Sequence, residues 1–198
     1  MLFLITNRKI IRNKTFIEVI EKAVAGGVEA VILREKDLTY DELLPIAKAV
    51  RKITKEKNAL LIINRNLEVA KAVGADGYHT GFYDFIKTSF NWKGSLGVSV
   101  HSLEEAILAE KKGANYLLAS HVYKTDCKKG LAPKGLNFIK EIKENVNIPV
   151  IALGGITNKN VREVLLTGVE GIAVMSFIVS SEDPYTAAQK LKENMRIV

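Results

Sequence analysis

The chain has 198 residues, 47% hydrophobic and 26% charged, which suits one globular domain burying roughly 70% of its unfolded surface. A single cysteine excludes an internal disulfide, and the longest apolar run, Gly171 to Val179 with Ser176 inside it, falls far short of the about 20 residues of a membrane span. The formal charge of +7 would suit nucleic acid or small anions, but many lysines alternate with glutamates, as in Lys140-Glu141-Ile142-Lys143-Glu144 and Lys190-Leu191-Lys192-Glu193, the pattern of a solvated helix face.

Taken in order, short apolar runs alternate with helical patterns. Leu2–Ile5 precedes a helix over Lys14–Ala25, with Phe16, Val19, Ile20 and Ala23 at helical spacing. Val28–Leu33 precedes Tyr40–Lys55, with Thr39 as N-cap. Ala59–Ile63 precedes Leu67–Val73, Gly77–His79 precedes Phe82–Lys87, and Leu96–Val100 precedes Ser102–Lys112, where Ser102 and Glu105 have capping-box spacing. Tyr116–Ala119 leads through a polar loop to Leu136–Glu144. Pro149–Leu153 precedes a helix over Asn158–Leu166, and Gly171–Met175 precedes Tyr185–Met195. Glycines at Gly27, Gly74, Gly113 and Gly168 punctuate the joints from helix to strand, where a left-handed residue ends a helix. Eight βα units predict a single-domain (β/α)₈ TIM barrel over residues 1–198; an open doubly wound sheet is the alternative. The start, Met1-Leu2-Phe3-Leu4-Ile5-Thr6, reads as a strand and not as a signal peptide. The expected setting is the cytoplasm, with no membrane or nucleic-acid partner, and a homo-oligomer is left open.

In either architecture ligands bind at the carboxyl ends of the strands. Those ends carry Thr6 and Asn7, Arg34 with Glu35 and Lys36, Asn64 and Arg65, His79, Ser99 and His101, Ser120 and His121, Gly154 and Gly155, and Ser176. Gly154-Gly155 lead from a strand toward a helix and let backbone N–H groups approach an oxyanion, while Met175-Ser176 end the last strand with further amides and a hydroxyl. Together they are the expected phosphate grip. The acids at strand ends are few, so no metal is expected.

The densest chemistry lies in Ala119–Gly130, which gathers His121, Thr125, Asp126, Cys127, Lys128 and Lys129 within twelve residues. Such a mixture is costly to bury and unnecessary for folding. Nearby cations favour a neutral imidazole, which suits His121 as a general base. Cys127 lacks a partner and reads as a passive small side chain. His79 and His101 are equally open to structural and functional roles.

Leu33-Arg34-Glu35-Lys36, Ile62-Ile63-Asn64, Gly74-Ala75-Asp76-Gly77-Tyr78-His79, Gly97-Val98-Ser99-Val100-His101-Ser102, Gly154-Gly155-Ile156 and Gly171-Ile172-Ala173-Val174-Met175-Ser176 together resemble the thiamin phosphate synthase/TenI superfamily. The resemblance spans nearly the whole chain and implies a (β/α)₈ barrel handling phosphorylated thiamin precursors. The synthase branch joins a pyrimidine diphosphate to a thiazole phosphate with magnesium. Its pattern has Asn-Asp where this chain has Asn64-Arg65, a further aspartate that Asp84 could match, and Thr-x-Thr-Lys where Thr125-Asp126-Cys127-Lys128 stand. The loop after the sixth apolar run instead resembles the thiazole tautomerase branch, an isomerase needing neither metal nor organic cofactor. On that resemblance the expected activity is tautomerisation of a carboxylated dihydrothiazole ethyl phosphate. His121 would move the proton, Gly154, Gly155, Met175 and Ser176 would hold the phosphate, and Lys36 or Lys128 would face the carboxylate. Arg34, Asn64, Ser99 and Thr125 would line the pocket, and the partner is a phosphorylated thiazole. The alternatives are a thiamin phosphate synthase and a non-catalytic regulator that binds a thiamin-pathway phosphate.

Overall fold

The structure is a computed structural model and describes residues 1–125 and 130–196. In chain order the elements are β1 (Leu2–Ile5), a single 3₁₀ turn (Arg8–Ile10), α1 (Phe16–Ala25), β2 (Ala30–Leu33), α2 (Tyr40–Glu56), β3 (Leu60–Asn64), α3 (Leu67–Ala72), β4 (Gly77–Gly81), α4 (Phe82–Lys87) and β5 (Ser95–Val100). There follow α5 (Leu103–Lys111), β6 (Tyr116–Ser120), α6 (Gly135–Asn145), β7 (Val150–Leu153), α7 (Val161–Leu165), β8 (Gly171–Val174), α8 (Ser176–Val179) and α9 (Pro184–Met195). The strands pair in sequence order, and β1 pairs with β8 as well as β2, all in parallel. The fold is therefore a closed (β/α)₈ barrel, not an open sheet.

Side chains alternate across each strand, so one strand feeds two cores. Phe3, Ile5, Ala30, Ile32, Ile62, Tyr116, Leu118, Ile151 and Ala173 fill the barrel interior. Leu2, Leu4, Val31, Leu33, Leu61 and Ile63 face outward and pack in the core formed with the helices. Burial on both faces explains why β1 and β2 read as unbroken apolar runs. Each fully buried Leu or Ile contributes about 1.5–3 kcal/mol by leaving water. The same alternation carries upward: Arg34, Asn64, Ser99 and Ser120 stand two residues beyond inward-facing positions, in phase with the interior.

The caps explain the helix starts. Thr15 with Glu18 and Thr39 with Glu42 form reciprocal capping boxes before α1 and α2. Before α5 only half of the expected box forms. Ser102 accepts from the Glu105 N–H at 3.2 Å, but the Glu105 carboxylate accepts from the His101 N–H at 2.7 Å. At the joints Gly27, Gly74, Gly113 and Gly168 have φ of 108°, 56°, 92° and 86°, as their helix-ending role requires. Two elements depart from the periodicity. The helix expected from Asn158 begins at Val161, because Asn160 donates to the Gly155 carbonyl at 3.0 Å and accepts from the Thr157 N–H at 2.8 Å, holding 155–160 as a loop. The short α8 was not expected; it lies in the apolar stretch that follows the strand expected over Gly171–Met175. Among the described residues no helix is long and apolar enough to cross a membrane.

Candidate active site

A cavity of about 340 Å³ opens at the carboxyl ends of the strands, above the interior layer of Ile5, Ile32, Leu118 and Ala173. Its size is that of a small-ligand site. The expected residues Arg34, Asn64, Ser99, His121 and Thr125 line it, and so do Gly154, Gly155, Met175 and Ser176. Lys36 does not line it; the chain turns away after β2, leaving Lys36 exposed at the mouth. Lys128, Asp126 and Cys127 lie outside the described residues.

One side of the cavity is backbone. Gly154 and Gly155 have φ of 113° and 66°. A Cβ on Gly154 would run into the Cβ of His121, and one on Gly155 would come within 2.6 Å of the Lys124 carbonyl oxygen. Both positions need glycine for conformation and for space. The strand beyond β6 is held against this loop: Val122 N–H donates to the Leu153 carbonyl and Tyr123 N–H to the Gly154 carbonyl, each at 3.0 Å. Beside it, after the neighbouring β8, Ser176 and Phe177 open α8 and line the same cavity. First-turn amides have no acceptor within their own helix, so this side offers donors to an anion without carrying formal charge.

The other side is cationic. Arg34 follows β2, Lys36 stands two residues further on, and Arg65 follows β3 at the left-handed φ of 66°; of these, Arg34 lines the cavity itself. Arg65 N–H donates to the His79 carbonyl at 2.9 Å, and the Asn64 amide donates to the same oxygen at 3.1 Å. The Asn64 Oδ1 is buried and has no partner among the described residues, which leaves an acceptor for a ligand N–H. Desolvation, then the cations of Arg34 and Arg65, hold the Lys36 ammonium below its usual range, with Asp84 partly offsetting them.

The two buried histidines differ. His79 is satisfied: Nδ1 lies 3.0 Å from the Tyr116 hydroxyl and Nε2 2.8 Å from Ser99 Oγ. Burial, with Arg34 nearby, lowers its pKa to about 3, so the ring is neutral. Burial likewise pushes the Tyr116 phenol well up. His79 is thus a fixed part of the cavity floor. Tyr116 gave no warning in the sequence, because one aromatic residue in an apolar run reads as core; room for its ring comes from Gly97, where any Cβ would collide with it. His121 is 3% exposed, and neither ring nitrogen has a hydrogen-bond partner among the described residues. Its backbone is fixed by the Lys134 N–H donating to its carbonyl at 2.9 Å, and its side chain is left for whatever enters the cavity. The Ser120–His121 peptide bond is cis. His101 precedes the Ser102 cap of α5, its N–H and ring both facing the Glu105 carboxylate, and does not line the cavity.

Glu35, between Arg34 and Lys36, turns out to be a clasp. It is 5% exposed, accepts from Thr6 Oγ1 at 2.7 Å and from the Arg8 guanidinium at 3.0 Å, while Thr6 Oγ1 accepts from the Arg34 N–H at 2.9 Å. This ties the loop after β1 to the end of β2 and aims Arg34 inward.

The family description thiamine monophosphate synthase matches residues 2–178. The chain belongs to that family. It is 38% identical over 194 residues to the thiamine-phosphate synthase of Clostridium tetani, covering 96% of this chain and 93% of that one. It is 42% identical over 194 residues to the thiamine-phosphate synthase of Pyrococcus horikoshii, covering 96% and 92%. Its fold matches the thiamine phosphate pyrophosphorylase of Pyrococcus furiosus with a TM-score of 0.89 and 38% identity, over 99% of this chain and 95% of that one. These relatives overturn the expected tautomerase, and with it the isomerase class. That expectation rested on the short Ala119–Gly130 run, whereas similarity over the full length is to proteins named as synthases.

The magnesium implied by the synthase resemblance does not fit the donors present. Arg65 stands where that pattern has a carboxylate, and its guanidinium lies 3.1 Å from Asp84 Oδ2, the other acid of the pattern. Among the described residues no group of three or more His, Cys, Asp or Glu side chains is placed to hold a metal. A cation in place of one carboxylate and paired with the other disfavours Mg²⁺ at this position.

Proposed function

We propose that this chain is a thiamine-phosphate synthase that joins a pyrimidine diphosphate to a thiazole phosphate. The observation that carries the reading is one cavity flanked by two unlike anion-directed sides: glycine and helix-start amides at β7 and β8, cationic side chains at β2 and β3. Two substrates bearing two different phosphate groups call for such a pair, and relatives similar over the full chain carry that name.

The coupling asks for orientation and for stabilisation of the departing group. The lone pair of the thiazole nitrogen forms a bond to the exocyclic carbon of the pyrimidine. The carbon–oxygen bond to the diphosphate breaks, and diphosphate leaves with its electron pair. In this reading Gly154, Gly155, Met175 and Ser176 hold the thiazole phosphate, while Arg34, with Lys36 at the mouth, stabilises the charge growing on the leaving group. His121 and Asn64 are the polar groups left for the heterocycles between them, with Ser99 and Thr125 at the wall. A donor aimed at developing charge in a water-poor site is worth about a hundredfold or more in rate.

The test is incubation of purified protein with pyrimidine methyl diphosphate and thiazole ethyl phosphate, following thiamin phosphate and released diphosphate. Equimolar formation of both is expected; their absence, with and without added Mg²⁺, would sink the reading.

A further inference from the structure

Arg65 occupies a position the coupling reaction does not explain. It is a non-glycine residue at φ 66°, a conformation that costs roughly 1–3 kcal/mol and persists only where its surroundings hold it. Two hydrogen bonds to the His79 carbonyl, from the Arg65 N–H and the Asn64 amide, pin the turn and send the Arg65 side chain toward Asp84. Arg65 and Asp84 are 51% and 55% exposed in their side chains, so the pair itself contributes little to folding. A contact so weakly held is readily exchanged for a better anion.

That better anion would meet more than one cation. β2 and β3 are paired up to Leu33 opposite Ile63, so Arg34 and Arg65 leave neighbouring strand ends, and both act on Lys36, with Asp84 as the acid among them. Among the described residues, the charged groups that act on one another here are Lys36, Arg34 and Arg65 with the carboxylate of Asp84. Guanidinium groups bind phosphate oxygens in a planar, two-pronged fashion and need no metal to bridge them. Among the described residues the carboxylate beside these cations is Asp84, and it already faces the Arg65 guanidinium.

We propose that Arg65, with Arg34 and Lys36, binds the diphosphate group directly and does the electrostatic work for which the synthase pattern uses a divalent metal. The diphosphate as physiological ligand rests on the synthase reading; the metal-independent anion site rests on the charge arrangement. On substrate binding, the Arg65 guanidinium leaves Asp84 and turns to the diphosphate oxygens.

The experiment is calorimetric titration of the full chain with inorganic diphosphate, once in excess chelator and once with Mg²⁺. Binding in chelator is expected, no weaker than with Mg²⁺. Asparagine tolerates the left-handed conformation, so Arg65→Asn removes the charge without straining the turn, and it should weaken binding in chelator by roughly tenfold or more. Arg65→Asp restores the paired carboxylates and should bind diphosphate only when Mg²⁺ is present. Wild-type binding that needs Mg²⁺, no binding in either condition, or an Arg65→Asn variant that binds like wild type would each overturn the proposal. The two readings fail separately. Coupling that runs only with Mg²⁺ would keep the synthase and refute the metal-free site, whereas chelator-resistant diphosphate binding without coupling would keep the site and refute the synthase.

Discussion

In the proposed synthase the two sides of the barrel mouth would meet two phosphate groups by different means. At β7 and β8 the groups directed at an anion are backbone amides, placed by two glycines at positive φ and by the start of α8. At β2 and β3 they are long cationic side chains on short turns, one of them paired with Asp84. An amide cradle is rigid and uncharged, so it selects by shape; a side-chain cluster is mobile and charged, so it selects by charge and answers to salt. The first suits a group that stays bound while the reaction proceeds. The second suits a group that must be stabilised as its charge grows and then released.

The sharpest way to break this contrast is to fill the cradle. Gly154→Ala places a methyl against His121 at a φ of 113°, and it should lower thiazole phosphate affinity by about a hundredfold and stability by about 2–3 kcal/mol, measured by calorimetry and urea unfolding. Beside the cradle stands His121, whose ring nitrogens have no hydrogen-bond partner among the described residues. His121→Gln should cut coupling turnover by about ten- to a hundredfold while thiazole phosphate affinity changes only a few-fold. Equal losses in both would place the ring in the cradle itself. Raising salt from about 0.05 to 0.5 M should weaken diphosphate binding by about tenfold and thiazole phosphate binding far less, because screening acts on the exposed charges. A similar salt response for both ligands would erase the distinction.

A separate effect, read as acid stability and not as ligand binding, concerns the floor common to both sides. His79 is neutral in the fold, its pKa lowered from the ordinary 6.5 to about 3 by burial, with Arg34 adding to the effect. Between those values the unfolded chain binds a proton that the folded chain does not. Stability from this group is therefore full above about pH 6.5 and falls as pH drops toward 3, by about 1 kcal/mol per pH unit. Urea midpoints from pH 7 to 4 should show a shallower decline for His79→Gln than for wild type. Parallel declines would mean that His79 does not govern this acid response.

How much was legible in the sequence can be judged element by element. The eight βα units were readable because a strand buried on both faces is continuously apolar and a helix end needs a left-handed glycine; both are local demands. Gly154 and Gly155 were readable as a close turn for the same reason, while the phosphate grip they would form with Ser176 belongs to the proposed function. The Glu35 clasp and the Tyr116–His79–Ser99 contacts were not, since each joins strands that only barrel closure brings together. The tautomerase expectation gave one local run more weight than the whole chain carries.

By itself, then, the sequence determined the repeat, the alternation that sends every second side chain inward, and the chemistry at each strand end. Whether a residue at a strand end belongs to the site was decided by the tertiary structure alone. Arg34 and Lys36 are two apart, yet the first lines the cavity and the second is carried to its mouth by the turn. His79 and His121 are both buried histidines, yet closure gives one two partners and leaves the other none among the described residues. The physical reason is common to both cases. Residue type and spacing fix what a side chain can do and which face it takes, while its partners come from strands distant in the chain, brought near only when the barrel closes.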